Sequence, residues 1–327
     1  MTTKVAKRIA ILTSGGDVPG LNACIRAVAL AAERSGFSIV GVAHGYDGLI
    51  DGEFLHLETE VLRAAVPRGG TILRSARSKR FTTAEGRAEA AKQLRAAHID
   101  SLVVIGGDGS LTGAAAFAAE HGFAVMGIPK TIDNDVEGTD VCIGFDTAVN
   151  TAMQAIDRIR DTADSHARIF AVEVMGRDSG YLAWAAGMAG AADGILIPET
   201  DADWRSLEEK LKERHKTRTG SLLVVVAEGD ETGGAAPVAK RLQAAFPEES
   251  IGLCVLGHTQ RGGSPTASDR ILATRFAVAA VDAIAAGKSG MMTALVGDDI
   301  RLVPIASVRR RPLALTPERL RLMEILI

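Results

Sequence analysis

The chain has 327 residues, with 35 glycines, 47% of positions in the hydrophobic set and only thirteen aromatics (nine Phe, two Tyr, two Trp). That length and apolar content exclude a disordered tail or a stapled miniprotein and leave room for one large domain or two ordinary ones. With 37 basic and 40 acidic residues the formal charge is −3, so nothing draws the whole molecule to nucleic acid or to an anionic membrane.

Glycine exceeds its usual share of about 7% without a G-X-Y period or proline enrichment, which sets collagen and low-complexity readings aside. Cys24, Cys142 and Cys254 lie too far apart for a CxxC pair or a disulfide framework, and Cys142 and Cys254 read as small core residues. A reducing, cytoplasmic setting is expected. The apolar run at residues 9–12 is too short for a signal peptide, and no segment reaches the ~20 apolar residues of a membrane span.

Short apolar runs alternate with longer segments of helical period, the pattern of parallel sheets with crossover helices. Strands are expected at 8–13, 38–43, 101–105, 124–128, 169–174, 194–197, 221–227 and 251–256. Most are continuous Val/Ile/Leu/Ala stretches, as in sheets covered on both faces. Between them one helix is clear, because Phe145, Ala148, Val149, Ala152, Met153, Ile156 and Ile159 share a stripe. A boundary is expected near residue 143, after the polar loop 133–140. The fold class is α/β, with two Rossmann-like lobes built on mainly parallel sheets, and ligands of such sheets bind at the carboxyl ends of the strands.

Five strand-end loops carry chemistry. The first, Ser14-Gly15-Gly16-Asp17, reads either as a tight βα turn or as a backbone cradle for a phosphate. The second, Gly106-Gly107-Asp108-Gly109-Ser110, opens a helix expected from about Leu111 and embeds a carboxylate among glycines. Beside phosphates that carboxylate would be repulsive without a divalent cation, which points to Mg²⁺ with a nucleotide. A plain turn and a loosened dinucleotide fingerprint remain as other readings.

The third loop, Pro129 to Asp135, sets Asp133 and Asp135 beside Lys130 and Thr131, a pattern suited to a general base and its orienting partner, or to an Asx-rich turn. The fourth, Met175-Gly176-Arg177-Asp178, offers an arginine to a transferring phosphoryl group or a structural Arg177–Asp178 pair. The fifth, Gly257 to Gly263, holds His258 and Arg261 three residues apart, a pair that suits sugar-phosphate recognition, or is a bland turn. Gly287-Lys288-Ser289 imitates a P-loop end but lacks its first glycine, and no histidine spacing matches a zinc site.

Taken in order, LTSGGDVPGLNACIRAV, RGGTILRSAR, VVIGGDGS, GIPKTIDNDVEGTD, IGFDTA, DRIRDT, VEVMGRDSGYLA and VLGHTQRGGSPTASDRILA resemble the phosphofructokinase family in its bacterial, ATP-dependent form. The resemblance implies a glycolytic kinase that phosphorylates the 1-hydroxyl of fructose 6-phosphate from MgATP, giving fructose 1,6-bisphosphate and ADP. It implies Asp133 as general base, Asp135 as its support, and Gly16, Thr131 and Arg177 around the phosphoryl group in flight. Asp108 matches the Mg²⁺ position, and Arg77, Gly107, Gly109 and Ser110 match nucleotide contacts. Arg168, Met175, Gly176, Glu228, His258 and Arg261 correspond to fructose 6-phosphate contacts, Arg168 reaching across from a neighbouring subunit. That implies a homo-oligomer, commonly a tetramer, with a dimer as the alternative. Residues 1–143 with 259–305 would form the nucleotide and Mg²⁺ lobe, and 144–258 with 306–327 the sugar-phosphate lobe.

Gly109 and Lys130 bear on the donor in opposite senses. Glycine at 109 leaves room for ATP where pyrophosphate-using relatives place Asp, whereas Lys130 resembles the lysine of those relatives; ATP is the expected donor. A pyrophosphate-dependent enzyme, a kinase for another sugar phosphate such as sedoheptulose 7-phosphate, and a catalytically silent nucleotide-binding subunit are the rivals. The intact Asp108, Asp133, Asp135 and Arg177 argue against silence. Gly252 stands where many bacterial members have a second intersubunit arginine. Leu30 stands where effector-regulated members have another, although Arg26 and Arg160 are kept, so weak or altered ADP and phosphoenolpyruvate control is expected.

Overall fold

The computed structural model describes residues 7–200, 204–217 and 220–326, so the outermost residues of the expected lobes, 1–6 and 327, lie outside the described residues. In chain order the elements begin β1 (Arg8–Thr13), α1 (Leu21–Arg34), β2 (Ser38–Val42), α2 (Gly45–Asp51), β3 (Phe54–Leu55), α3 (Thr59–Ala65), α4 (Ala84–Ala96) and β4 (Ser101–Gly106). They continue with α5 (Asp108–His121), β5 (Ala124–Pro129), α6 (Phe145–Ser165), β6 (Ile169–Val174), α7 (Tyr181–Ala189), β7 (Gly194–Leu196) and α8 (Trp204–Thr217). The last are β8 (Leu222–Ala227), α9 (Ala235–Ala245), β9 (Ile251–Val255), α10 (Ala267–Ala285), β10 (Met291–Val296), β11 (Asp299–Pro304) and α11 (Pro317–Leu326).

By compactness the chain divides into two units. The first comprises Met1–Thr131, Val136–Thr147 and Arg261–Arg310; the second comprises Ile132–Asp135, Ala148–Gln260 and Arg311–Ile327. In the first unit a seven-stranded sheet has the order β11-β10-β5-β4-β1-β2-β3, parallel from β10 to β2 and antiparallel at both edges. Every residue of β4 is buried, as an all-apolar strand covered on both faces should be. The register places Thr13 opposite Ile105 and Gly106 opposite Pro129. The loops after β1, β4 and β5 therefore leave the sheet side by side, at the point where the chain changes direction across it, which is where ligands of such sheets bind.

In the second unit the sheet β7-β8-β6-β9 is wholly parallel. Val174 pairs with Ala227, and Glu173 with Val255, so the loops after β6, β8 and β9 again share one edge. Ala171, Leu222, Val224, Val226 and Val238 lie in its core. Along α6, Ala148, Ala152 and Ile156 of the expected stripe are fully buried, whereas Val149, Met153 and Ile159 are half-buried.

All eight expected strands are present, with ends shifted by a residue or so. The structure adds three that sequence reading passed over: the two-residue β3 and the hairpin β10–β11, whose strands meet through Gly297-Asp298 with Gly297 at φ +60°. It also starts α5 at Asp108 rather than near Leu111. Cys142 is buried as expected, but Cys254 is half-buried, because it lies on the edge strand β9. No helix among the described residues is long and apolar enough to cross a membrane.

Candidate functional site

In the first unit the glycine-rich loops meet through their side chains and backbone. The Ser110 and Ser14 hydroxyls are 2.9 Å apart, and the Tyr46 hydroxyl donates to the Ser110 carbonyl at 2.6 Å. Burial pushes the Tyr46 phenol's pKa up, which keeps that hydroxyl a donor. Because α5 begins at Asp108, the residues Asp108, Gly109 and Ser110 form its first turn, where backbone N–H groups and the helix dipole favour an anion. A Cβ on Gly109 would meet nothing within 4 Å, whereas one on Gly106 would strike Ser110 at 2.4 Å. Of this glycine set, Gly109 is the one beside open space.

The Asp108 carboxylate has the Arg310 guanidinium 3.6 Å away. Among the described residues no group of three or more His, Cys, Asp or Glu could hold a metal ion by itself. This donor set fits Mg²⁺, which commonly takes one or two carboxylates and completes its shell with phosphate oxygens and water.

The two glycines of the first loop have different neighbours. Gly15, at φ +85°, sits where a Cβ would be 3.4 Å from Lys130 Nζ and 3.5 Å from Ser110 Oγ. Gly16 sits where one would be 2.7 Å from Arg261 Nη1. Lys130 is buried and its ammonium donates to the Gly16 carbonyl at 2.5 Å. A cavity of about 280 Å³ opens beside the pair, lined by Gly15, Gly16, Asp17, Thr71, Arg74 and Ser75 among others. Arg77 is exposed. Gly15 is thus the glycine that faces the second loop, a distinction that two adjacent glycines in a sequence do not reveal.

In the second unit Asp133 and Asp135 are 3% and 2% exposed, and Asn134 between them is at φ +51°. The Ser179 hydroxyl donates to the Asp133 carbonyl at 3.1 Å, and Arg177 Nε lies 3.9 Å from Asp133 Oδ2. Arg177, one of the two readings of the fourth loop, therefore faces the third. Its own backbone is left-handed at φ +52°, and its N–H donates to Glu228 Oε1 at 2.9 Å. Gly176, at φ +146°, cannot carry a Cβ, which would lie 2.4 Å from the Ser179 carbonyl oxygen.

Met175 is buried, and its N–H donates to Gln260 Oε1 at 3.4 Å. Gln260 is fully buried and ties the fifth loop to the fourth, a role that sequence reading missed although the residue stands between His258 and Arg261. His258 and Arg168 are exposed. Gly252 pairs with Phe170 across β6 and β9, and a Cβ there would lie 2.3 Å from the Phe170 ring. The aromatic ring fills the space that an arginine stem would need.

A family model described as phosphofructokinase matches residues 8–284. The chain is 48% identical over 320 residues to ATP-dependent 6-phosphofructokinase 1 of Thermus thermophilus, covering 98% of this chain and 99% of that one. It is 50% identical over 300 residues to ATP-dependent 6-phosphofructokinase of Thermotoga neapolitana, covering 91% and 93%. Among solved structures, phosphofructokinase from Saccharomyces cerevisiae superposes with a TM-score of 0.84 at 36% identity, over 91% of this chain and 45% of the yeast chain. Matched from β1 through nearly all of α10, the chain belongs to the phosphofructokinase family.

Proposed function

We propose that the chain is an ATP-dependent 6-phosphofructokinase, transferring the terminal phosphoryl group of ATP to the 1-hydroxyl of fructose 6-phosphate. The observation that carries the donor is Gly109: in the first turn of α5, beside Asp108, it leaves open space where a side chain would crowd a nucleotide. The ATP-dependent relatives at 48–50% identity support the same choice. Lys130, the feature shared with pyrophosphate users, spends its ammonium on the Gly16 carbonyl.

On this reading the first unit takes the nucleotide through Gly107, Gly109, Ser110, Arg77 and the Gly15-Gly16 pair, and the second takes the sugar phosphate through Met175, Gly176, Glu228, His258 and, from a neighbouring subunit, Arg168. Arg261 adds a cation to the sugar phosphate. Asp108 would hold Mg²⁺, which supplies charge neutralisation on the phosphates. Asp133 takes the proton of the attacking hydroxyl, Asp135 supports it, and Arg177 with Thr131 and Gly16 offsets charge on the phosphoryl group as it moves.

A homo-oligomer is supported by β9, among the described residues an edge strand with unpaired backbone groups on its outer side, which leaves Leu253 49% and Val255 56% exposed. A solution mass equal to one chain would refute it. The free cysteines suit a reducing cytoplasm. Weak effector control is supported by Arg160, whose guanidinium donates to the carbonyls of Gly190 and Ala191, at 2.7 Å each, at the end of α7.

The direct assay combines purified protein, Mg²⁺ and fructose 6-phosphate with either ATP or pyrophosphate. Fructose 1,6-bisphosphate is expected from ATP, with little change on adding ADP or phosphoenolpyruvate at low concentration. Turnover from pyrophosphate alone would overturn the donor assignment.

Restoring an arginine at position 252 is expected to fail as a single change. Gly252→Arg must push Phe170 aside, at a cost of about 1–3 kcal/mol for overpacking, read as a lowered thermal or denaturant midpoint. Only Phe170→Ala with Gly252→Arg should recover stability and lower the KM for fructose 6-phosphate. A single variant as stable as the parent would show that the ring yields freely.

A further inference from the structure

We propose that Arg74 is a phosphoryl-binding residue for the terminal phosphate of the donor, and that His44 and Glu53 are its positioning residues; this rests on the kinase reading above. Arg74 lines the cavity beside Gly15 and Gly16, whereas Arg77, the arginine that the family pattern assigns to the nucleotide, is not part of that wall; both side chains are exposed to solvent.

The segment carrying Arg74 is fastened to the first glycine loop. The Thr13 hydroxyl donates to the Arg74 carbonyl at 2.7 Å, the Ser75 hydroxyl to the Gly15 carbonyl at 2.6 Å, and the Gly15 N–H to the Ala76 carbonyl at 3.1 Å. Thr13 is the last residue of β1, so the Arg74 backbone is fastened to the same strand end that presents the glycines.

Both partners of the contact are held in a disfavoured backbone conformation, Arg74 at φ +60° and His44 at φ +54°. Such non-glycine residues persist where surrounding bonds over-determine them, and they gather at binding and catalytic sites. Asn134 and Arg177, on the proposed catalytic loops, are held in the same way, whereas His98, Ala167 and Ala191 adopt this conformation in turns that end helices.

The side chains form a relay. Glu53 Oε2 is 2.6 Å from His44 Nδ1, and His44 Nε2 is 3.1 Å from Arg74 Nη1. A carboxylate accepts only, so Nδ1 carries the proton and Nε2 is the acceptor for one guanidinium N–H. The Glu53 carboxylate and the Arg74 guanidinium are linked through His44. Here the imidazole stands between them, so the guanidinium is oriented by one of its five N–H groups and keeps the other donors for an anion. The Gly16 end of the cavity, next to Lys130 and Arg261, is the transfer end on the proposed reading, which selects the outermost phosphate.

The test is calorimetric binding of β,γ-imido-ATP and of ADP, each with Mg²⁺, to the intact protein and its variants. Arg74→Ala is expected to weaken β,γ-imido-ATP by about 10–100-fold, as for a lost charge-assisted contact, and ADP by no more than about threefold. His44→Ala should weaken β,γ-imido-ATP by roughly 3–10-fold alone and by nothing further when Arg74 is already alanine, as a residue acting through Arg74 must. Arg74→Lys should recover only part of the loss, because an ammonium cannot serve the imidazole and a phosphate with a planar fork, and it reads the same discrimination should the alanine variant misfold. Unchanged β,γ-imido-ATP affinity, or equal losses for both nucleotides, overturns the proposal. Arg74-dependent β,γ-imido-ATP binding without phosphorylation of fructose 6-phosphate would sink the kinase reading and leave this site standing. Active enzyme with full affinity after Arg74→Ala would do the reverse.

Discussion

Replacing Asp133 by asparagine is expected to lower kcat by about 10²–10⁴-fold, the usual contribution of a positioned general base, with the KM for each substrate within a few-fold of its starting value. A sugar hydroxyl becomes a competent nucleophile as its proton departs, and Asp133 is the carboxylate proposed to receive it. The residue is 3% exposed, its carbonyl is anchored by the Ser179 hydroxyl at 3.1 Å, and Arg177 Nε stands 3.9 Å from Oδ2. Asparagine keeps the shape and the main-chain anchor while losing the ability to take a proton, so binding should survive and turnover should not. Steady-state kinetics with each substrate varied in turn give both parameters. A kcat within tenfold of the parent would remove Asp133 from this role.

The strands were legible because buried parallel strands are written as unbroken apolar runs, and β4 and β8 are buried at every residue. The loops were legible for a related reason: glycine, Asp and Arg at a strand end have few structural uses in common. The hairpin β10–β11 was missed although Gly297-Asp298 is a two-residue turn between apolar runs, a signal that a search for crossover units passes over.

What the sequence could not convey is pairing across distance. Phe170 lies over Gly252 only because β6 neighbours β9, a fact of strand order rather than of either segment. Glu228, which the family pattern makes a sugar contact, presents Oε1 to the backbone N–H groups of Gly176 and Arg177, because β8 neighbours β6. The relay of Glu53, His44 and Arg74 likewise joins three segments through a fold that no local pattern announces.

The same adjacency gives Gly229, a residue with no side chain and no place in the family pattern quoted above, a large expected effect: Gly229→Ala should reduce kcat by roughly 10²-fold, the scale set by a displacement of about 1 Å in a reacting geometry. A Cβ on Gly229 would lie 1.7 Å from the Arg177 carbonyl oxygen and 2.6 Å from its carbonyl carbon, so the Arg177 peptide has to move. It has little freedom to do so. Arg177 is already left-handed at φ +52°, its N–H is held by Glu228 Oε1 at 2.9 Å, and Gly176 before it is pressed against the Ser179 carbonyl. The strain should therefore appear as a tilt of the guanidinium away from Asp133. Arg177→Ala alone should cost about 10²–10³-fold, as for a lost donor to transition-state charge. If Gly229 acts through Arg177, the two losses will not add, and the double variant will match Arg177→Ala. A Gly229→Ala enzyme at full rate, or a double variant slowed by the product of both factors, would show that the loop after β8 does not set the position of Arg177.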